Sequence, residues 1–479
     1  MTIHFQCAEA IPVSGNLILL LNDWKNLPGK YFKKHEIGYF KEQISRNRKN
    51  LVIINRLTQV VAICFVRQEL PPDKVLEDVR IAGHEMVKYL NDQSKQDVFL
   101  ADTGGCPAET LAFAEGMAGA NYQFLKYKKN NGSRAHTFTY VYVHAAGIHE
   151  ADTGRLNILT EALYWCRNMV NEPVSYLTAS KFAREIEKKL TEAGAKVEVF
   201  DKKKIEALRM GGLLAVNKGS VDPPTFTTIE WKPRHHLNKQ PYVLLGKGIV
   251  FDSGGMNIKT GDYMNNMKSD MAGGAAVAAA LWAVAQARLP LYMVGLVPST
   301  DNRPAGNAFV NGDIIQMYNG TRVEVINTDA EGRLILADAL SYAKKFNPAL
   351  VISLATLTGA AARAIGKYGM VGFSHGAENH FERLQGSGNR VCERIVEFPL
   401  WEEYDELIKS EVADIKNLGG TDAGAITAAM FLKRFTDYPF IHLDIAGPAF
   451  VEKPFNYRGT GATGVGVRLL FDFFKQLTD

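Results

Sequence analysis

From Tyr242 to the C-terminus, apolar β-branched runs alternate with stretches of helical periodicity, and no other feature narrows the fold as far. Strands are predicted at Tyr242–Leu245, Leu291–Val297, Arg322–Ile326, Leu350–Ala355 and Phe440–Ile445. Helices are predicted at Ala272–Ala287, Gly332–Lys345, Ala377–Val391, Ile426–Thr436 and Gly464–Gln476. Strand and helix in turn imply a mostly parallel sheet with helices on both faces. In such α/β folds ligands sit beyond the carboxyl ends of the strands. Polar residues that directly follow a predicted strand are therefore the first candidates for chemistry.

The chain is 479 residues long, enough for two or three domains. Residues 1–154 read as a separate N-terminal α/β domain serving assembly or regulation. Its strands are predicted at Leu17–Leu21, Leu51–Ile54, Val60–Val66, Val98–Ala101 and Thr137–Val143, with a helix at Asp78–Asn91. Residues 155–172 read as a connecting helix, because Leu156, Leu159, Leu163, Cys166 and Val170 recur at three- and four-residue spacing. Pro173 ends it. Residues 173–479 form the larger domain, with a helix at Ala179–Ala193 and a strand at Lys196–Phe200. His136, His144 and His149 lack a helical metal spacing and read as structural. Lys202-Lys203-Lys204 reads as a solvated helix start.

A net charge of +4 over this length, with no basic stripe or recognition helix, argues against nucleic acid as a partner. The five cysteines form no CxxC pair, which fits free thiols in a reducing cytoplasm. The apolar run Leu17–Leu21 has neither the basic flank nor the cleavage site of a signal peptide. No stretch approaches the roughly 20 apolar residues of a membrane span.

The chemistry gathers in three segments. Asn327-Thr328-Asp329-Ala330-Glu331-Gly332-Arg333 lies between a predicted strand and helix. If it is extended, Asp329, Glu331 and Arg333 point the same way. The second segment runs from Lys247 through Asp252 to Lys259, and the third carries Asp270 at the start of a helix. Asp252, Asp270, Asp329 and Glu331 crowded at one sheet edge would repel one another without cations. Oxygen ligands of this kind suit Zn²⁺, Mn²⁺ or Mg²⁺. A pair of such ions can clamp and activate a water.

LLGKGIVFDSGG, SDMAGGAA, NTDAEGRL and ATLTGA together resemble the leucyl aminopeptidase (cytosol aminopeptidase) family of di-metal exopeptidases. Asn171-Glu172-Pro173, LWEEYDELIKSEVADIKN and HLDIAGPA are similar to that family too, so the likeness runs from about residue 155 onward. Carried over residue by residue, it implies a tightly held metal on Lys247, Asp252, Asp270 and Glu331. A second, exchangeable metal would take Asp252, Asp329 and Glu331. A liganding Lys247 would have to be neutral. The resemblance makes Lys259 the stabiliser of the tetrahedral intermediate. It makes Arg333 the holder of a bicarbonate that takes a proton from the metal-bridging water. Asp270 and the carbonyl of Leu357 would receive the substrate α-amine. Thr356, Leu357 and Gly359 would line the site, and Met267 an apolar pocket. Asp301 stands where the family often has Glu. The resemblance further implies a homohexamer and peptides with a free N-terminus as substrates.

Two other functions fit parts of the pattern. Clustered carboxylates also serve di-metal phosphohydrolases, but a lysine ligand fits these poorly and no Walker-type loop is present. A DNA-binding accessory role is known among relatives; the weak charge opposes it here.

Overall fold

The computed structural model describes residues 2–47, 50–129 and 135–478. The chain divides into two compact units. The first comprises Met1–Tyr164 with the short stretches Arg390–Cys392 and Lys453–Gly459; the second is Trp165–Asn389, Glu393–Glu452 and Thr460–Asp479. The helix expected at 155–172 runs from Glu150 to Asn171, and the division falls inside it.

In the first unit six strands, β1 (His4–Cys7), β2 (Leu17–Leu21), β3 (Leu51–Asn55), β4 (Val60–Phe65), β5 (Asp97–Asp102) and β6 (Tyr140–Ala145), form one sheet in the order β1-β6-β5-β2-β4-β3. All neighbours are parallel except β3 and β4. β2 reads LILLL because it is covered on both sides: Ile18 and Leu20 enter one apolar cluster, Leu17, Leu19 and Leu21 the other. His136 and His144 each bond a backbone carbonyl through Nδ1. None of the five cysteines forms a disulfide.

The second unit carries β7 (Lys196–Phe200), β8 (Thr225–Trp231), β9 (Tyr242–Gly246), β10 (Gly248–Asp252), β11 (Met293–Asn302), β12 (Ile314–Gln316), β13 (Arg322–Glu324), β14 (Leu350–Ala355), β15 (Met370–His375), β16 (Ile395–Glu397), β17 (Ile415–Lys416) and β18 (Phe440–Asp444). Nine strands make the main sheet, β16-β15-β18-β14-β9-β11-β8-β7, with β10 on β11. Its centre, β18-β14-β9-β11, is parallel. Arg322–Ile326 was expected in this sheet. It instead supplies β13 to a separate three-stranded sheet, β12-β13-β17. The reason is local: after Glu324 the chain turns towards the helix Gly332–Ala343, and Val323 and Val325 pack into the main core without pairing to it.

The helix Ala272–Gln286, AGGAAVAAALWAVAQ, lies close on the sheet because its first turn has almost no side chains. A Cβ placed on Gly246, at the end of β9, would meet Gly274 Cα at 2.5 Å. Among the described residues no helix is long and apolar enough to cross a membrane.

Candidate metal centre

The carboxyl ends of β9, β10, β11, β14 and β18 bring together Lys247, Asp252, Asn302, Thr356 and Asp444, and two helix starts add Asp270 and Glu331. Lys247 follows β9 directly. Its ammonium lies 2.7 Å from Asp270 Oδ2 and 2.9 Å from Glu331 Oε1, with all three groups buried. It also donates to the Thr356 carbonyl at 3.1 Å. A Cβ on Gly332 would sit 2.5 Å from Lys247 Cε, so the lysine stem passes close against the helix start where glycine leaves it room.

Lys259 lies 2.8 Å from Asp252 Oδ2 and 2.5 Å from Asp329 Oδ1. Its backbone N–H donates to the Ser253 carbonyl at 2.9 Å, which folds the loop after β10 back on itself. Thr356 Oγ1 donates to Asp270 Oδ1 at 2.7 Å. Leu357 N–H donates to Asp444 Oδ1, and Gly359 opens a helix capped by Thr358. Met267 starts the short turn whose carbonyl accepts from Asp270 N–H. Lys247, Asp252, Lys259, Asp270, Asp329, Glu331 and Thr356 thus meet at this end of the sheet.

One detail differs from expectation. The segment is not extended through Arg333: Glu331 has φ −77° and ψ −36°, and the helix begins at Gly332. Asp329 and Glu331 do face a common point, but Arg333 is aimed elsewhere. Arg333 is buried, and its Nη1 donates to the Asn417 carbonyl at 2.8 Å while its Nε has no partner. Burial pulls its pKa down to about 10, against the pull of Glu331 and Asp444. Asp301, buried, pairs with Arg303.

The electrostatics follow from crowding. Burial, then the like charge of Asp252, pushes the Glu331 carboxyl well above its ordinary range. Asp270 moves up, chiefly through burial. Burial would lower Lys247, yet Asp270, Glu331 and Asp252 outweigh it and hold the ammonium above the ordinary lysine range. Lys259 is raised for the same reason, by Asp252, Glu331 and Asp329 against burial.

Four carboxylates thus face two ammonium groups, a deficit of positive charge in a largely buried site. Asp252, Asp329 and Glu331 each offer an oxygen, all within 4.8 Å of one another. Glu331 Oε2 is buried and accepts no hydrogen bond. A hard divalent cation fits this donor set.

Sequence reasoning passed over Asn302, Asn257, Asn417 and Asp444. Asn417 accepts from the N–H groups of Ile326 and Asn327 and donates to the Asn327 carbonyl at 2.7 Å. Asp444 accepts from Leu357 N–H, Thr358 Oγ1 and Ala446 N–H. Their partners are far away in the chain, so no local spacing reveals them; only HLDIAGPA and the stretch ending at Asn417 hinted at two of them.

The profile of the cytosol aminopeptidase family, catalytic domain, matches residues 164–471. The chain belongs to the cytosol aminopeptidase family. A protein named "Probable cytosol aminopeptidase" from Chloroherpeton thalassium is 50% identical over 329 residues, 68% of this chain and 64% of the relative, so the match spans just under two thirds of that relative. One of the same name from Chlorobium limicola is 44% identical over 379 residues, 76% of this chain and 75% of its own. Among solved structures, the bottromycin maturation enzyme BotP in complex with Mn is similar at TM-score 0.85 and 28% identity, over 97% of this chain and 99% of BotP. A mutant of tomato leucine aminopeptidase is similar at TM-score 0.86 and 25% identity, over 99% of this chain and 96% of its own. Within this cytosol aminopeptidase fold the acidic cluster lies in the part that the catalytic-domain profile covers.

Proposed function

We propose that this protein is a metal-dependent aminopeptidase that removes the N-terminal residue of peptides. The observation that carries the reading is the triad of Asp252, Asp329 and Glu331 oxygens within 4.8 Å of one another, with Asp252 and Glu331 buried and Asp329 partly exposed, in a chain of this family. Lys247, giving up its proton as the ion enters, would hold one divalent ion with Asp252, Asp270 and Glu331, and Asp252, Asp329 and Glu331 would hold the second. Bound there, the ions would polarise the scissile carbonyl and lower the pKa of a water. Mn²⁺ is the first to test, since BotP holds Mn; Zn²⁺ and Mg²⁺ suit the same oxygens.

The chain's own groups divide the remaining work. Lys259, poised beside Asp252 and Asp329, would donate to the oxyanion that develops at the scissile carbonyl. Asp270, fixed by Lys247 and Thr356, would accept from the substrate α-amine, with the Leu357 carbonyl beside it. Met267 and Gly359 would border the pocket for the first side chain. Arg333 supports an anion role: it is a buried guanidinium whose Nη1 donates to the Asn417 carbonyl and whose Nε has no partner among the described residues, a geometry that suits a planar oxyanion. Bicarbonate held there would supply the general base. A homohexamer and a cytoplasmic location complete the proposal, on family resemblance.

The test is a peptide assay before and after chelation. Activity should vanish with metal removal and return with Mn²⁺. N-acetylated peptides should resist cleavage, because they lack the free amine. Cleavage by metal-free protein, or of acetylated peptides at a comparable rate, overturns the reading.

A further inference from the structure

Asn302 ends β11 between the two loops that carry the acidic triad, and it is fully buried. Its amide nitrogen donates to Asp252 Oδ1 at 2.9 Å and to the Thr328 carbonyl at 3.1 Å. Its backbone carbonyl accepts from Ser253 N–H at 3.0 Å and Ser253 Oγ at 2.7 Å. One residue therefore grips the Asp252 loop at three points and the Asp329 turn at one.

The second loop is locked in turn. Thr328 Oγ1 donates to the Gly254 carbonyl at 2.6 Å, and Asn257 Oδ1 accepts from Thr328 N–H at 2.8 Å. A Cβ on Gly255, at φ +64°, would lie 2.6 Å from Asn302 Oδ1, so the loop closes over the asparagine with no room for a side chain. Asp252 and Asp329 repel each other. The Asn302 amide ties the Asp252 carboxylate to the Thr328 carbonyl, one residue before Asp329, and so links the carboxylate of one loop to the backbone of the other.

We propose that Asn302 is a positioning residue that sets the spacing of Asp252 and Asp329, and through it the affinity of the second, exchangeable divalent-ion site. The inference rests on the di-metal reading above. It goes beyond that reading in assigning the control of one ion to a residue that binds neither. Asp270 and Lys247 receive no hydrogen bond from Asn302 in the structure, so the first site depends on it only through Asp252.

The experiment is calorimetric titration of Mn²⁺ into chelator-stripped full-length protein, for wild type, Asn302→Ala and Asn302→Asp, with thermal melts of each apoprotein. Asn302→Asp keeps the shape and removes the donor but adds a negative charge beside Asp252, so the positioning role is read from Asn302→Ala, and Asn302→Asp serves to show the effect of added charge. Wild type should bind two Mn²⁺ in separable steps. Asn302→Ala should keep the first step within about threefold and weaken the second by about 10- to 100-fold, the range usual for outer-shell partners of metal ligands. Melting of the apoprotein should change little. Unchanged affinity at both steps in folded Asn302→Ala overturns the proposal. So does loss of both steps together with a lowered melting temperature in that variant, which makes Asn302 a general element of the fold. Wild type that binds fewer than two Mn²⁺ refutes the di-metal reading itself, and is seen before any variant is compared.

Discussion

Replacing Lys259 by methionine should pull metal affinity and catalysis in opposite directions. The side chain is 13% exposed, and its ammonium lies 2.8 Å from Asp252 Oδ2 and 2.5 Å from Asp329 Oδ1. A divalent ion competes with that ammonium for the same oxygens. Two unit charges 4 Å apart interact by about 4 kcal/mol at an effective dielectric near 20. The flexible lysine can swing away and relieve most of this, so a net gain of at least about tenfold in metal affinity is the expected remainder, roughly 1.4 kcal/mol. Catalysis should fall, because charge on the carbonyl oxygen develops only on the way to the transition state. Loss of one such donor typically costs about 10²–10³ in kcat. Methionine keeps the apolar stem and packing of the lysine while removing the charge. The assay pairs calorimetric Mn²⁺ titration of the apoprotein with steady-state kinetics at saturating Mn²⁺. KM should move little. Weaker metal binding in Lys259→Met would refute the competition argument. A kcat within about threefold of wild type would refute the oxyanion role.

Two further outcomes follow from groups away from that lysine. Arg333→Ala should abolish any stimulation by added bicarbonate and lower kcat by about 10²–10⁴, the usual reach of a general base, while metal stoichiometry stays constant; an equal bicarbonate response in variant and wild type removes Arg333 as the anion's receptor. Asp338 is buried and accepts from Leu213 and Tyr318 N–H groups, and burial pushes its pKa up to about 7 against those bonds. A carboxyl raised in the fold binds more protons folded than unfolded, so its stabilising effect is complete below pH 4 and is lost as pH rises to about 7. Denaturant titrations at pH 5 and pH 7 should therefore show wild type losing about 2–3 kcal/mol more than Asp338→Asn, and equal losses would contradict the assignment.

How much of this could be read from the chain varies by element. Leu17–Leu21, Lys196–Phe200 and Leu350–Ala355 were legible to the residue, the first and last as apolar runs and KVEVF as an alternation of polar and apolar residues. Thr225–Trp231 was missed because TFTTIEW is half polar, although four of its seven residues are buried. The helix Pro107–Asn121 was missed because PAETLAFAEGMAGAN has no polar face to set a period. In the site, the acids and lysines were legible because their chemistry is unusual in combination. The asparagines that hold them were not. Asn302 and Asn417 bond mainly backbone, and those groups carry no sequence signature. Asn302 reaches 50 residues back to Asp252, and Asn417 reaches about 90 residues back to the turn before Glu331.

Gly332 touches no ligand and performs no chemistry, yet the reach of Lys247 is measured by its missing side chain. The lysine stem crosses the space a methyl group at 332 would fill, with Cε 2.5 Å from that point. A side chain there requires the stem to shift, and with it the ammonium that contacts Glu331 and Asp270. Drift at this position is thus closed off by volume rather than by reactivity. A survey that scored positions by the chemistry of their side chains would rank it last, and a saturation screen for activity should rank it beside the acids themselves.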